Sequence, residues 1–175
     1  MALQIVLDVR RSDDFGIGTY IRNLIQALGN LDQENQYRLI TTPQPAHELP
    51  HLPSNFQTVT YGRSDLDPLD HVAFPYFLRQ FPANLYHIPL NRVPLFMPKP
   101  YVVTIHDMSS LLFDENPGVQ KGLRTTLRQY RFQNGLSRAS RVIAVSASTK
   151  RDVENLMGVP PERIRLVYSA PGPEF

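Results

Sequence analysis

The chain has 175 residues and a mass of 20.0 kDa, with 18 Lys+Arg against 16 Asp+Glu. That is one domain's length, enough to bury roughly two thirds of the unfolded surface without a staple. The absence of cysteine excludes a disulfide framework, an iron–sulfur or thiolate-zinc site and a cysteine nucleophile.

Leu3, Ile5, Val6, Leu7 and Val9 form a nearly continuous apolar run, which predicts an interior strand of a parallel sheet. A loop from Arg10 to Gly18 follows. Tyr20, Ile21, Leu24, Ile25 and Leu28 recur at helical spacing and predict a helix over 19–28, with Gly29-Asn30 as its stop. Tyr37, Leu39 and Ile40 predict a second strand. The four prolines within 43–55 predict a loop, and 56–61 a third, less buried strand. Residues 68–80 are helix-like but interrupted by Pro75. Leu85–Ile88 is a short strand, residues 89–100 hold four prolines and no regular structure, and Tyr101–Ile105 is a strand ending in His106-Asp107. A long basic helix is expected over 119–138, with Leu123, Leu127, Tyr130 and Leu136 toward the core. Val142–Val145 is another buried strand, ending at Ser146. Ser148 or Thr149 is expected to cap the next helix, with Val153, Leu156 and Met157 inward and Gly158 as its stop. Pro160-Pro161 starts a short turn, and Ile164–Tyr168 is the last strand. No apolar run reaches the ~20 residues that span a bilayer and no signal-peptide pattern precedes the first strand, so the expectation is a soluble, cytoplasmic chain.

Alternating strands and helices, with several strands too apolar for a wet face, imply an α/β fold. The expected form is a Rossmann-like parallel sheet of about seven strands with helices on both faces. Residues 1–168 form that domain and 169–175 read as the start of a linker. Ligands of such sheets bind at the carboxyl ends of strands, so the residues just after strands carry the argument.

Gly16-Ile17-Gly18 opens the first helix, where glycine permits close approach and free helix amides favour an anion such as a phosphate. The alternative is an ordinary tight turn. The dinucleotide fingerprint is not completed, because its third glycine position holds Ile21. The second strand ends in Thr41-Thr42-Pro43 with no acidic residue for a ribose, so a nicotinamide enzyme is disfavoured. His106 at a central strand end is placed to donate a hydrogen bond to a sugar hydroxyl or move a proton, or else to serve as a structural histidine. Asp107 either faces the cleft or holds the loop. Asp8 is read as holding the glycine loop, and Asp13-Asp14 as a solvated pair. His47, His51, His71 and His87 fall in loops or weak elements without metal-ligand spacing, so no metal is expected.

Charge is uneven: residues 120–165 hold ten Lys/Arg and three Asp/Glu, against eight and twelve in residues 1–119. Arg124, Arg128 and Arg131 stand at i, i+4 and i+7 and share a helix face. Such a face is either plain solvated surface or a contact for anionic lipid headgroups, a phosphorylated acceptor or nucleic acid. Sparse aromatic residues around it disfavour nucleic acid.

Two stretches together resemble the N-terminal domain of the group 1, or family 4, glycosyltransferases. The first is Leu7-Asp8-Val9-Arg10 with Gly16-Ile17-Gly18-Thr19-Tyr20. The second is Tyr101-Val102-Val103-Thr104-Ile105-His106-Asp107 with Arg141-Val142-Ile143-Ala144-Val145-Ser146, continued by Ser148-Thr149-Lys150 and Gly158 to Ile164. The Gly-Ile-Gly form and the His-Asp strand end look most like the mannosyltransferase-like branch. The resemblance implies one half of a GT-B architecture, two Rossmann-like domains facing a cleft. It implies sugar transfer from a GDP- or UDP-linked nucleotide-sugar to a polysaccharide or glycolipid acceptor, with retention and with neither metal nor cofactor. By the same match Gly16, Ile17, Gly18 and Ser146 line the donor and acceptor cleft, His106 touches the transferred sugar, and Asp107 stands beside it. The family's C-terminal domain carries the basic residues that hold the diphosphate and the paired glutamates, and nothing here corresponds to them. After Tyr168 the family's Asn- or His-Gly-Val-Asp stretch is replaced by Ser169-Ala170-Pro171-Gly172. The expectation is therefore an acceptor-side half, inactive by itself, peripheral at the inner membrane face and partnered by a C-terminal donor domain. The competing reading is a non-catalytic module that binds anionic membrane.

Overall fold

The computed structural model describes residues 1–43, 49, 52–108 and 121–170, and the side chains of 121–125 lie outside that description. Seven strands form one wholly parallel sheet: β1 Gln4–Asp8, β2 Gln36–Thr41, β3 Phe56–Thr60, β4 Leu85–Ile88, β5 Tyr101–Ile105, β6 Arg141–Ala144 and β7 Ile164–Leu166. Their order is β3-β2-β1-β4-β5-β6-β7. The chain leaves β1 toward β2 and β3, then returns to β4 on the other side of β1. The direction of winding therefore reverses between β1 and β4, at the point where such sheets open a crevice. Among the described residues the flanking helices are α1 Ile17–Leu31, α2 Asp70–Leu78, α3 Lys121–Arg138 and α4 Ala147–Met157, and a 3₁₀ turn covers Pro161–Arg163. No described helix is long and apolar enough to cross a membrane.

The core follows from the apolar runs. Val6, Leu7, Leu39, Ile40, Val103, Ile105, Val142 and Ala144 are buried at the sheet centre, against Ile21 and Ile25 of α1, Phe74 and Leu78 of α2, and Leu136 of α3. β3 and β7 are the edge strands, and only Phe56 of β3 is buried.

Several expectations change. α1 runs three residues past the expected end, through Gly29-Asn30, because Gly29 lies buried under Pro53 and the helix continues to its C-cap at Asp32. Pro75 stands inside α2 rather than breaking it: the carbonyl of His71, which Pro75 cannot bond, accepts from the amide of Leu95 at 3.2 Å. The N-cap of α4 is Ser146, not Ser148 or Thr149; its Oγ accepts from the Thr149 amide at 3.0 Å. Gly158 is that helix's C-cap as expected, but Leu156 is exposed. β7 ends two residues early. Leu127 and Tyr130 of α3 are exposed and Phe132 and Leu136 are buried, so the inward face of that helix differs from the expected one. Leu123 lies outside the described side chains, most of the 43–55 loop outside the described residues, and 171–175 of the linker likewise.

Candidate active site at the sheet switch point

The loop after β1 is built on a buried ion cluster. The Arg10 guanidinium meets Asp8 twice, at 2.9 Å each, reaches Asp70 of α2 at 3.1 and 3.2 Å, and lies 3.8 Å over the Phe74 ring. Burial alone would depress its pKa, but the two carboxylates outweigh that and raise it. Asp8 thus anchors Arg10 and does not bond the glycine loop directly, contrary to expectation. The next residue, Arg11, forks onto Asp65 at 3.0 and 2.9 Å and pairs with Asp14 at 2.5 Å, so Asp14 is an ion-pair partner rather than a solvated group.

Gly16 has φ +75° and ψ −70°, and the Ile17 amide donates to Phe15 O at 2.9 Å across it. This is a γ-turn with a positive central φ, a conformation that L side chains resist. Gly18 answers a different demand, because a Cβ there would overlap the carbonyl of Ser12. The Ile17 and Gly18 amides bond Phe15 O and Asp14 O, so these two helix-start donors are occupied within the loop. Arg22 also bonds Ser12 O. The loop is therefore closed by bonds within itself and to Arg22, and it sets the start of α1.

α1 carries Tyr20 against the end of β5. The Tyr20 and His106 rings meet edge to face with centroids 4.9 Å apart. The Tyr20 hydroxyl is 3.2 Å from Thr104 Oγ1, which is 2.8 Å from Nε2 of His87. His87 is a buried residue of β4, the short strand expected over 85–88, and burial pushes its pKa down to about 4. His106 is half-buried, and its Nε2 lies 3.1 Å from the carbonyl of Pro89. A carbonyl only accepts, so Nε2 carries the proton. Burial lowers the pKa of this ring, against the opposing pull of Pro89 and Asp107. The neutral ring then has Nδ1 as an acceptor, which reverses the expected polarity: a sugar hydroxyl would donate to His106.

Asn91 was not foreseen. Its Oδ1 accepts from the His106 amide at 2.9 Å and its Nδ2 stands 3.5 Å from the exposed Asp107 carboxylate. It sits just past β4, beside the switch point, and that position is the sequence signal available for it. Thr149 Oγ1 donates to the His106 carbonyl at 3.1 Å. Ser146, through its cap bond and its contacts at 3.0 and 2.9 Å with Ser148 and Thr149 hydroxyls, belongs to the framework behind His106.

Beyond Asn91 opens a cleft of about 680 Å³. Ile17 and Arg11 line it from the glycine loop, Asp65, Leu66 and Pro68 from the β3–α2 connection, and His71 from α2. Leu90 to Val93 follow β4, and Leu127, Arg128, Arg131 and Phe132 belong to α3. Arg128 and Arg131 thus meet a wall of the cleft, while the side chain of Arg124 lies outside the described residues. Among the described residues no group of three or more His, Asp or Glu is placed to hold a metal. The structure therefore brings Ile17, Arg128 and Arg131 onto one cleft; Gly16, Gly18 and His106 do not line it, and they adjoin it through Ile17 and through the bond from the His106 amide to Asn91.

The fold resembles solved glycosyltransferase chains. A variant of the wall teichoic acid polymerase TagF matches at TM-score 0.62 and 16% identity, over 94% of this chain and 38% of that one. The lipopolysaccharide outer core galactosyltransferase WaaB matches at 0.57 and 12%, over 94% and 45%. A glycosyltransferase from Rickettsia africae matches at 0.54 and 10%, over 95% and 43%. The present chain spans less than half the length of each. No curated protein matches it in sequence. The model of Glycosyltransferase Family 4 matches residues 16–170, from the γ-turn glycine to the tail beyond β7, and the chain belongs to that family.

Proposed function

We propose that this chain is the acceptor-side domain of a retaining GT-B glycosyltransferase. Its partner is a C-terminal donor domain, and its reaction moves a sugar, mannose by the branch resemblance, from a GDP- or UDP-linked donor to a saccharide or glycolipid hydroxyl. The observation that supports this reading is the contact between Tyr20 and His106, which packs the helix that follows the glycine loop against the β5 end. His106 Nδ1 accepts from a hydroxyl of the transferred sugar. Gly16, where an added side chain would meet open space, leaves room for the donor diphosphate to approach, and Gly18 lets the loop pack on Ser12 beneath it. Support of the departing diphosphate is the dominant electrostatic need of such a transfer, and the donor domain supplies it. In the full-length protein, His106→Ala is expected to lower turnover at least about tenfold, the size of one lost transition-state hydrogen bond, read as nucleoside diphosphate release across UDP- and GDP-sugars. Unchanged turnover returns His106 to a framework role. The chain alone is expected to show no turnover.

A second contact is favoured by exposed apolar residues among the arginines of α3. Leu127 is 46% and Tyr130 64% exposed beside Arg128. Such a mixture suits the interface of an anionic membrane. Co-sedimentation with phosphatidylglycerol vesicles is expected to rise with anionic lipid and fall with salt, and to drop when Arg124, Arg128 and Arg131 become Gln; indifference to both rejects the contact.

A further inference from the structure

The cleft carries an uneven charge that the transfer reading does not explain. Four arginines and one carboxylate line it, and Asp65 is bound by Arg11. Neither Arg92 nor Arg131 has a carboxylate oxygen within 4 Å among the described residues. Arg92 is half-buried, and one of its nitrogens donates to Nε2 of His71 at 3.0 Å. Because a guanidinium only donates, the proton of His71 resides on Nδ1 and the ring is neutral. Burial first, and then the charges of Arg92 and Arg131, push the His71 pKa down to about 4. His71 therefore holds Arg92 in place without cancelling its charge. Its own backbone is fixed by the bond from Leu95 that Pro75 makes available. Two guanidinium groups thus share a cleft that also offers the apolar surfaces of Leu66, Leu90, Leu127 and Phe132.

Guanidinium forks match phosphate oxygens better than any neutral hydroxyl. We propose that the cleft binds an acceptor bearing a phosphoryl group, held by Arg92 and Arg131, with an adjoining apolar body against Leu66, Leu90, Leu127 and Phe132. This assignment rests on the acceptor-side reading and names the acceptor's chemistry. His71 is a positioning residue for Arg92.

Equilibrium titration of the protein with n-octyl phosphate and n-octyl glucoside, each below micelle formation, tests it without donor or turnover. Octyl phosphate is expected to bind at least about tenfold more tightly, the value of a charge-assisted pair. That preference is expected to vanish in Arg92→Gln/Arg131→Gln and to persist in Arg165→Gln, whose side chain lies on the exposed edge strand. Arg131→Gln alone, which removes no hydrogen bond or ion pair among the described residues, is expected to lose part of the preference should the double variant unfold. Glucose 1-phosphate then separates the sources: competition equal to that of octyl phosphate assigns a soluble sugar phosphate, and weaker competition assigns a lipid-borne phosphate. Equal affinity for the two octyl compounds, or a preference untouched in Arg131→Gln and in a folded double variant, overturns the proposal. Octyl phosphate affinity is read without donor or turnover, and the His106→Ala effect is read as nucleoside diphosphate release, so failure of the transfer reading and failure of the anion site are read separately.

Discussion

Arg10 shows how much one side chain can carry in this fold. It joins the end of β1 to the start of α2 through Asp8 and Asp70, all three nearly excluded from water. Replacing it with Met leaves two buried carboxylates facing one another without a counter-charge. The expected loss is about 3–5 kcal/mol of unfolding free energy, measured by urea denaturation at pH 7. His87 acts in the opposite sense. Its folded pKa of about 4 lies below the ~6.5 of an unfolded imidazole. Above pH 6.5 both states are neutral and stability is fully present. As pH falls toward 4 the unfolded chain takes up a proton that the folded chain refuses, and stability declines by about 3 kcal/mol at most. Urea midpoints at pH 7.5 and 4.5 are expected to differ accordingly, and His87→Gln to reduce the difference. None of these partnerships was legible in the sequence, because Asp70 is sixty residues from Arg10 and Thr104 seventeen from His87. What was legible was the strand-end position of His106 and the glycine pair, since both follow from local pattern.

At the scale of elements, the strands were read best. Their apolar runs have no wet face, so burial on both sides leaves one interpretation. α3 was read worst: Leu127 looks like core by spacing, yet it lines a cleft, and only tertiary packing distinguishes the two. The helix is seated closely at Gly135, where an added Cβ would lie 2.6 Å from Cβ of Val93. Gly135→Ala is expected to cost about 1–3 kcal/mol through overpacking and to push α3 off the β4–β5 loop. Arg131 is one turn away, so octyl phosphate affinity is expected to fall with it. Retained stability and retained affinity in this variant contradict the close seating. The cap of α4 shows a subtler failure. Ser146, Ser148 and Thr149 are all able caps, and the β6 end decides among them by setting Ser146 in extended backbone at φ −149°.

For the whole molecule, winding order determines what the residues can do together. A sheet that reversed direction anywhere else would separate the glycine loop from the β5 end. The alternation of strands and helices announced the parallel sheet, but the position of the reversal depends on which side of β1 the fourth strand joins, and no local signal encodes that choice. The cleft inherits its walls from connections leaving β1, β3 and β4 and from α3, which is why the arginine excess appears only once the chain is folded. The same assembly reaches the tail beyond β7. The Asn23 side chain grips the Ala170 carbonyl at 3.2 Å, one turn along α1 from Tyr20. The tail beyond β7 is thereby moored to the same helix whose Tyr20 ring packs on His106.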